Sequence, residues 1–423
     1  MKKLIISILV ALILVSVLAG GCAKQAPSPA PTPEAAPPKT LDIGVAAPLT
    51  GPTAFLGTTM QNAILLAIDD QNKGILLAGG QSNEGGVTIA GQKYMLNGIA
   101  RDTKLDVVVS KNIAEELIFD RGVKVIAGPF IGDAIGTQYV TEPNKVILFG
   151  CVAIIPTMTG PTKPYTFFCG WPVEQMYTNI LAYMQEFYPE AKKIVSMTPD
   201  LPDAPLWMDA AKAMCPEYCL EWLGVDKFPF DTKDFMPVIT RALAKNPDII
   251  DTGTSGGSMA QACALLIKQL GEVGFKGVIM IPTSTQREIM EEVVPAKYLN
   301  RVVIDWIPNK PVGSKAYCDF SDRFQEKFGV IPNSMAGFYY NSLKAFFEFL
   351  DGQDSTDTTA WVEGFEKYHW QGIWGTESFW VGKPLSGIDR RVLGPSWIGE
   401  WVDGKLIEEK WTAPLPYDIF VGK

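Results

Sequence analysis

An apolar run that breaks into a Gly/Pro-rich loop and then becomes a helix opens the folded part of this chain. The same order recurs along most of its length. In Leu41-Asp-Ile-Gly-Val-Ala-Ala-Pro-Leu-Thr-Gly-Pro-Thr-Ala-Phe-Leu-Gly57, Ile43, Val45, Ala46 and Ala47 have the length and composition of a buried strand. The run stops at Pro48, and from Thr58 the apolar Met60, Ala63, Ile64 and Ala67 return at helical spacing. A strand feeding a helix in this way leaves helix N-terminal amides at the carboxyl edge of a sheet, where open α/β folds bind ligands.

Residues 94–100 read as the next strand, after an irregular Gly-rich loop over 74–91. A helix over 107–120, a strand over 123–127, a helix over 137–144 and a strand over 146–149 follow. A second run of alternation begins after Pro161–Pro164, with strands at 193–197, 221–225, 248–251 and 278–281 and helices at 206–214, 234–245 and 258–273. Residues 301–307 read as a crossing strand, followed by helices at 317–328 and 336–350. The end is rich in aromatics, including Trp374, Trp380, Trp397 and Trp401, with hairpin-like pairing around Asp403-Gly404. Short apolar strands alternating with helices argue for parallel sheets covered on both faces. The reading is two α/β lobes joined by more than one passage of the chain.

The N-terminus is not part of that fold. Lys2 and Lys3 precede an unbroken apolar run from Leu4 to Ala19, then Gly20-Gly21-Cys22, the pattern of a signal peptide. Small residues directly before a cysteine resemble a bacterial lipobox, although Ala19 stands where leucine is usual, so Cys22 is the expected lipidation site. Residues 23–40 carry six prolines between Pro27 and Pro38, a tether that cannot pack a core. Anchor, tether and body imply an extracytoplasmic, lipid-anchored protein. The chain has 37 Lys and Arg against 46 Asp and Glu and no basic run, so nucleic acid is not an expected partner. Beyond Cys22, six cysteines allow fifteen full pairings; Cys215 and Cys219 are the nearest neighbours, with free buried thiols the alternative.

Little in the chain supplies catalytic chemistry around the opening loop. His369 is the single histidine and has no cysteine beside it, so no metal site is expected. There is no phosphate loop and no dinucleotide fingerprint after a strand, and no cofactor is expected. Gly253-Thr-Ser-Gly-Gly257 fits the G-x-S-x-G of a nucleophile elbow, between a strand and a helix, with His369 downstream. That leaves an alternative function, an extracellular serine hydrolase using Ser255 and His369. The same loop, however, also serves simply to present amides and hydroxyls to a ligand. Asp200 and Asp203 lie close together beside two prolines.

Several of these stretches together resemble one family, the type I periplasmic solute-binding proteins of the branched-chain amino acid receptor group. They are Ile43–Gly57, Val125-Ile-Ala-Gly-Pro129, Phe228–Phe235, Gly274-Phe-Lys-Gly277 and Gly337-Phe-Tyr-Tyr-Asn341. The resemblance implies two Rossmann-like lobes joined by three crossing strands and closing on a solute that is handed to an ABC permease. It places lobe 1 at 41–164 plus about 305–375 and lobe 2 at 165–304 plus about 376–412, with a tail at 413–423. A receptor read by a signalling partner has the same fold.

The resemblance also places the ligand contacts. Thr50, Ala54 and Phe55 form the first-lobe rim, and Phe130, Gly132 and Asp133 fall on the second loop. The family's serine position in that loop is Gly132 here, and its S-x-x-A-T pattern becomes Gly150-Cys-Val-Ala-Ile154, with Ala153 and Ile154 in reach. Trp171, Asp200, Thr254, Ser255, Thr283 and Tyr340 complete the expected site; Thr283 stands where an acid binds the α-ammonium and cannot supply a charge. A zwitterion taken from water needs both charges met, at a cost of several kcal/mol otherwise. The expected solute is therefore an aromatic or other small carboxylate or a neutral organic molecule, with an amino acid left open.

Overall fold

Strand β1 (Lys39–Ala47) is buried from Ile43 to its end, as an unbroken apolar run requires of a central parallel strand. In this computed structural model the described residues are 37–51, 53–82, 84–151, 158–201, 203–283, 285, 287–306, 314–382, 389–393 and 397–412. Helix α1 (Ala54–Asn72) begins four residues earlier than its apolar spacing suggests. Gly57 lies in its first turn, where a Cβ would come within 1.9 Å of the Pro48 carbonyl oxygen. The residue that looks like loop in the sequence is what lets the helix start against the strand end.

The chain makes its first passage through one sheet with β2 (Val87–Ile89), β3 (Gln92–Asp102), α2 (Val107–Glu115), β4 (Val125–Ala127), α3 (Gly132–Thr141), β5 (Ile147–Gly150) and β6 (Thr166–Phe168). The second passage builds another sheet: α4 (Val173–Phe187), β7 (Lys193–Pro199), α5 (Ala204–Met214), β8 (Glu221–Phe228), α6 (Met236–Leu243), β9 (Ile249–Asp251), α7 (Ala260–Glu272), β10 (Val278–Ile281), α8 (Arg287–Val293) and β11 (Val302–Trp306). The third returns to the first body with α9 (Lys315–Phe328), α10 (Ser334–Leu350), α11 (Thr358–Phe365), β12 (Trp370–Gln371), β13 (Glu377–Ser378), β14 (Trp380–Val381) and β15 (Arg391–Val392). The last adds β16 (Trp397–Val402) and β17 (Lys405–Thr412) to the second sheet. The chain thus passes between lobes three times.

The first sheet has the order β14-β15-β6-β5-β4-β1-β3-β2 and the second β17-β16-β11-β10-β9-β7-β8. Within them β3-β1-β4-β5-β6 and β8-β7-β9-β10-β11 are parallel throughout and have the same winding. Antiparallel strands close both edges of the first sheet and the β17 edge of the second. The first lobe's core gathers β1, β4 and β5 under α1 and α10, with a dense aromatic group around Phe149, Phe167, Phe346 and Phe365.

Four features differ from the sequence reading. β6, β14 and β15 belong to the first sheet, although the resemblance places 165–304 and about 376–412 in the second lobe. β11, expected as a crossing strand, is an interior strand of the second sheet. The Gly-rich stretch before β3 contains β2, which pairs with β3 as a hairpin. Helix α4 has no counterpart in the sequence reading; it buries Glu174, Gln175 and Asn179 together with its apolar residues.

Candidate ligand site

In each sheet the strand order reverses once, between β1 and β4 and between β7 and β9. Loops leaving those neighbours run to opposite faces and open a crevice at the carboxyl edge, the usual ligand position in doubly wound sheets. Each crevice is shaped by a glycine. Gly128 has φ +113° and a Cβ there would lie 2.6 Å from the Ala46 carbonyl oxygen of β1. Gly253 has φ +54° and a Cβ there would lie 2.6 Å from the Thr198 hydroxyl of β7. The two lobes bring neighbouring loops together by the same device.

Carboxylates then fix the loop amides. In the first lobe Asp102 accepts from Leu49 N at 2.8 Å, Thr50 Oγ1 at 2.7 Å and Lys104 N at 3.0 Å. Burial pushes this carboxyl up, but the Thr50 hydroxyl and the backbone amides outweigh it and hold it below the usual range. Asp133 accepts from Phe130 N at 2.8 Å, Ile131 N at 2.9 Å and Thr103 Oγ1 at 2.7 Å. It is fully buried, and burial wins there, raising its carboxyl. The Tyr339 hydroxyl donates to the Pro129 carbonyl at 2.7 Å and ties the loop to α10.

The second lobe uses Asp251 at the end of β9. It is fully buried and accepts from Gly253 N at 2.8 Å, Ser196 Oγ at 2.6 Å and Tyr177 OH at 2.9 Å. The Trp222 indole donates to the same Ser196 hydroxyl at 3.0 Å. Burial raises the Asp251 carboxyl against these donors. Beside this loop, Asp203 is buried at the start of α5, its carboxyl raised by burial, and its Oδ1 has no hydrogen-bond partner among the described residues.

The expected site residues divide accordingly. Thr50, Ala54 and Phe55 lie at the first crevice, with Thr50 and Phe55 exposed, and Gly132 opens α3 beside it. Thr254, Ser255 and Thr283 are buried at the second. Phe130 and Trp171 pack in the first lobe's core. Asp133 is turned to its own loop's amides rather than outward. Asp200 is exposed and paired with Lys227 at 2.9 Å, so the buried acid of that loop is Asp203. Tyr340 stands inside the first lobe, donating to Asp70 at 2.6 Å and accepting from Arg323 at 3.0 Å, because one step along α10 turns it about 100° from Tyr339. Ala153, Ile154 and Cys22 lie outside the described residues.

The hydrolase pairing is not supported. Ser255 Oγ donates to the Thr252 carbonyl at 2.7 Å, whereas His369 is an exposed residue beside β12, 3.0 Å from Glu377 and stacked on Phe379. Among the described residues no cluster of His, Cys, Asp or Glu could hold a metal. None of the six cysteines from Cys151 to Cys318 is in a disulfide; Cys215 is buried and Cys219 exposed.

One residue with no signal in its local sequence is Arg391 on β15. It is 3% exposed, and its guanidinium donates through Nε to the Gly170 carbonyl at 3.1 Å and through Nη2 to the Trp171 carbonyl. Burial lowers its pKa to about 10, while Glu174 nearby favours the charge. The third stretch of chain thereby holds the first crossing.

Two doubly wound lobes of one winding, linked by three crossings, have the type I periplasmic-binding-protein fold. A sequence model of the periplasmic binding protein family matches residues 40–405, and the chain belongs to that family. Solved structures share the fold at low identity. An amino acid ABC transporter substrate-binding protein from Pseudomonas fluorescens Pf-5 is 17% identical, with 91% of this chain and 98% of that one covered at a TM-score of 0.72. LivJ of Streptococcus pneumoniae, in complex with isoleucine, is 18% identical, with 89% and 100% covered at 0.69. A solute binding protein of an ABC transporter from Rhodopseudomonas palustris BisB5, in complex with 3,4-dihydroxybenzoic acid, is 20% identical, with 89% and 98% covered at 0.68. No curated protein matches the sequence. No described helix is long and apolar enough to cross a membrane.

Proposed function

We propose that this protein is an extracytoplasmic receptor that captures a small organic solute between its lobes and delivers it to an ABC permease. The observation that carries the reading is the duplicated crevice: two sheets of one winding, each with its switch-point loop fixed by a buried carboxylate, in a chain that crosses between them three times. Closing the lobes about those crossings would enclose the solute, and the closed form is what a permease would recognise. No covalent step is needed. Lipid attachment at Cys22 would keep the receptor near its permease after the signal peptide is removed.

The relatives in complex with isoleucine and with 3,4-dihydroxybenzoic acid are one fold with two solute chemistries. Here Gly132 and Thr283 supply neither the hydroxyl nor the acid that an α-amino acid requires, which favours an aromatic or other carboxylate or a neutral solute. Thermal unfolding against pooled metabolites tests the reading. A solute at 100 times its Kd adds ~2.7 kcal/mol and raises the melting temperature. Failure of every solute class to raise it overturns the receptor. Phe55 is already 36% exposed, so Phe55→Asp should unfold within about 0.5 kcal/mol of the parent yet lose the solute.

A further inference from the structure

The carboxyl edge of the second sheet carries the crevice loops, and its amino edge carries a recess of another kind. Gly277 runs straight into β10 and Arg301 into β11, so the residues around them lie one strand length, roughly 13–17 Å, from the crevice. The recess has a volume of about 80 Å³, far below the roughly 300–1,000 Å³ of pockets that hold an organic solute, and it suits a single small ion. Two close approaches build it. A Cβ at Gly271 of α7 would lie 2.3 Å from the Tyr298 ring, and one at Gly277 would lie 2.2 Å from the Asp248 carbonyl oxygen. Its walls are thus set by backbone and ring.

Three cations line this recess, Lys276, Lys297 and Arg301, and no carboxylate does. Two recesses of the first lobe mix their signs: Arg323 stands with Asp319 in one, and Arg390 with Glu366 and Asp389 in the other. The chain has 46 Asp and Glu against 37 Lys and Arg, so a patch of one positive sign runs against its overall charge. Lys297 Nζ is 4.7 Å from the centre of the Tyr298 ring and the Arg301 guanidinium 4.7 Å from that of Tyr188, so aromatic faces hold two of the cations. The neighbouring acids Glu190, Asp248 and Glu272 do not line the recess. Glu190 pairs with Arg301 at 3.0 Å but is 65% exposed, and Asp248 accepts from the Lys192 and Lys193 amides. Like charges gathered in one recess repel, and a group with several acceptor oxygens supplies the counter-charge.

We propose that this recess is an oxyanion site that takes a phosphate group, with Lys276 and Lys297 closing on it and the Arg301 fork behind. A terminal phosphate brings about 1.5 to 2 negative charges at pH 7 and three strong acceptor oxygens. A carboxylate brings one charge and two oxygens, and leaves a cation unmatched. Standing at the edge of the sheet opposite the crevice, the site is separate from solute capture. Lys276 and Lys297 are exposed, so the phosphate can belong to a free ion or to the headgroup of a lipid with a terminal phosphate.

β1 starts at Lys39, so the chain from Ala23 without its lipid keeps the whole fold and serves for the test. Inorganic phosphate is titrated by calorimetry and by thermal unfolding, with sodium chloride of equal ionic strength as the control. Phosphate should bind saturably and raise the melting temperature, and chloride should not. Lys276→Gln and Lys297→Gln should each weaken phosphate by about two- to fivefold, the range of exposed ion pairs, and together by about tenfold. The phosphate-free melting temperature of these variants should stay level or rise, because a like charge has left the recess. Lys212→Gln, at an exposed lysine of α5, should change nothing. Sedimentation with phosphatidic acid vesicles against phosphatidylcholine vesicles separates the two sources. Binding to the first alone, released by free phosphate and lost in the double variant, assigns the lipid headgroup; phosphate binding without sedimentation assigns the free ion. Any solute that raises the melting temperature of the parent should do so equally in the double variant. No saturable phosphate binding, an equal response to chloride, or equal losses in Lys212→Gln and the double variant overturns the site and leaves the receptor reading standing.

Discussion

The two lobes share a strand order but secure their crevices differently. The first lobe divides the task between an outer carboxylate and an inner one: Asp102 holds the exposed β1 loop, and Asp133 holds the β4 loop from within. The second lobe gathers it into one fully buried group, Asp251, which serves a backbone amide and two side-chain hydroxyls at once. Donors at the exposed β1 loop can turn to water when their carboxylate is lost. Donors around the buried Asp251 cannot, and its interactions lie in a poorer dielectric.

The largest expected effect follows from that concentration. Asp251→Ala strands the Gly253 amide and the Ser196 and Tyr177 hydroxyls in a buried site, so urea unfolding should show a loss of roughly 3–5 kcal/mol. Asp102→Ala, at the exposed loop, should lose about 1 kcal/mol. Equal losses would mean that the lobes are braced alike.

The glycines sharpen the same contrast. Gly128→Ala would drive a Cβ into the Ala46 backbone carbonyl and should cost about 2–4 kcal/mol. At Gly253 the obstacle is a side chain, the Thr198 hydroxyl at 2.6 Å and its Cβ at 2.7 Å, so Gly253→Ala should cost about 1–2 kcal/mol. Restoring part of the second loss with Thr198→Ala, which removes the hydroxyl that the new Cβ would meet, would identify the side chain as the obstacle.

The two kinds of carboxylate should also respond oppositely to pH. Asp251 has a raised folded pKa, so its contribution is complete below the unfolded value near 3.8 and is lost as pH rises through the folded value. Asp102 has a lowered one, so its contribution is present above about 3.8 and is lost as pH falls through the folded value. Melting curves of Asp251→Asn and Asp102→Asn against pH should therefore depart from the parent in opposite directions, and departures of one sign would contradict the assignment. The smallest effect is chemical. At pH 8 iodoacetamide should alkylate exposed Cys219 in the native protein, while Cys151, raised by burial to about 12, and Cys263, raised to about 11, stay unlabelled until denaturation.

The alternation of strands and helices was legible in the sequence because both periods are local. Val278–Ile281 is a strand with the ends its apolar run implies, and the Asp403-Gly404 turn joins β16 to β17 as read. What failed was whatever depends on contacts distant in sequence. Nothing local tells Arg391 that it will lie against Gly170, or that Trp374 will meet Tyr317. Tyr339 and Tyr340 are the same residue type on one helix, and only its rotation against β4 and α1 decides which of them faces the crevice loop. Asp203 and Asp200 show the same limit, since burial, not composition, separates the acid held beside the second crevice from the one paired with Lys227 at the surface.

The arginine on β15 has a mechanical consequence. Three separate ribbons between two bodies would let them twist as well as bend, each ribbon yielding independently. Arg391 stands two residues before the third ribbon begins and grips two carbonyls of the first, so those two must travel together. With that pair fastened, lobes closing on a solute would swing as a door does on a strap, rather than turn on independent threads.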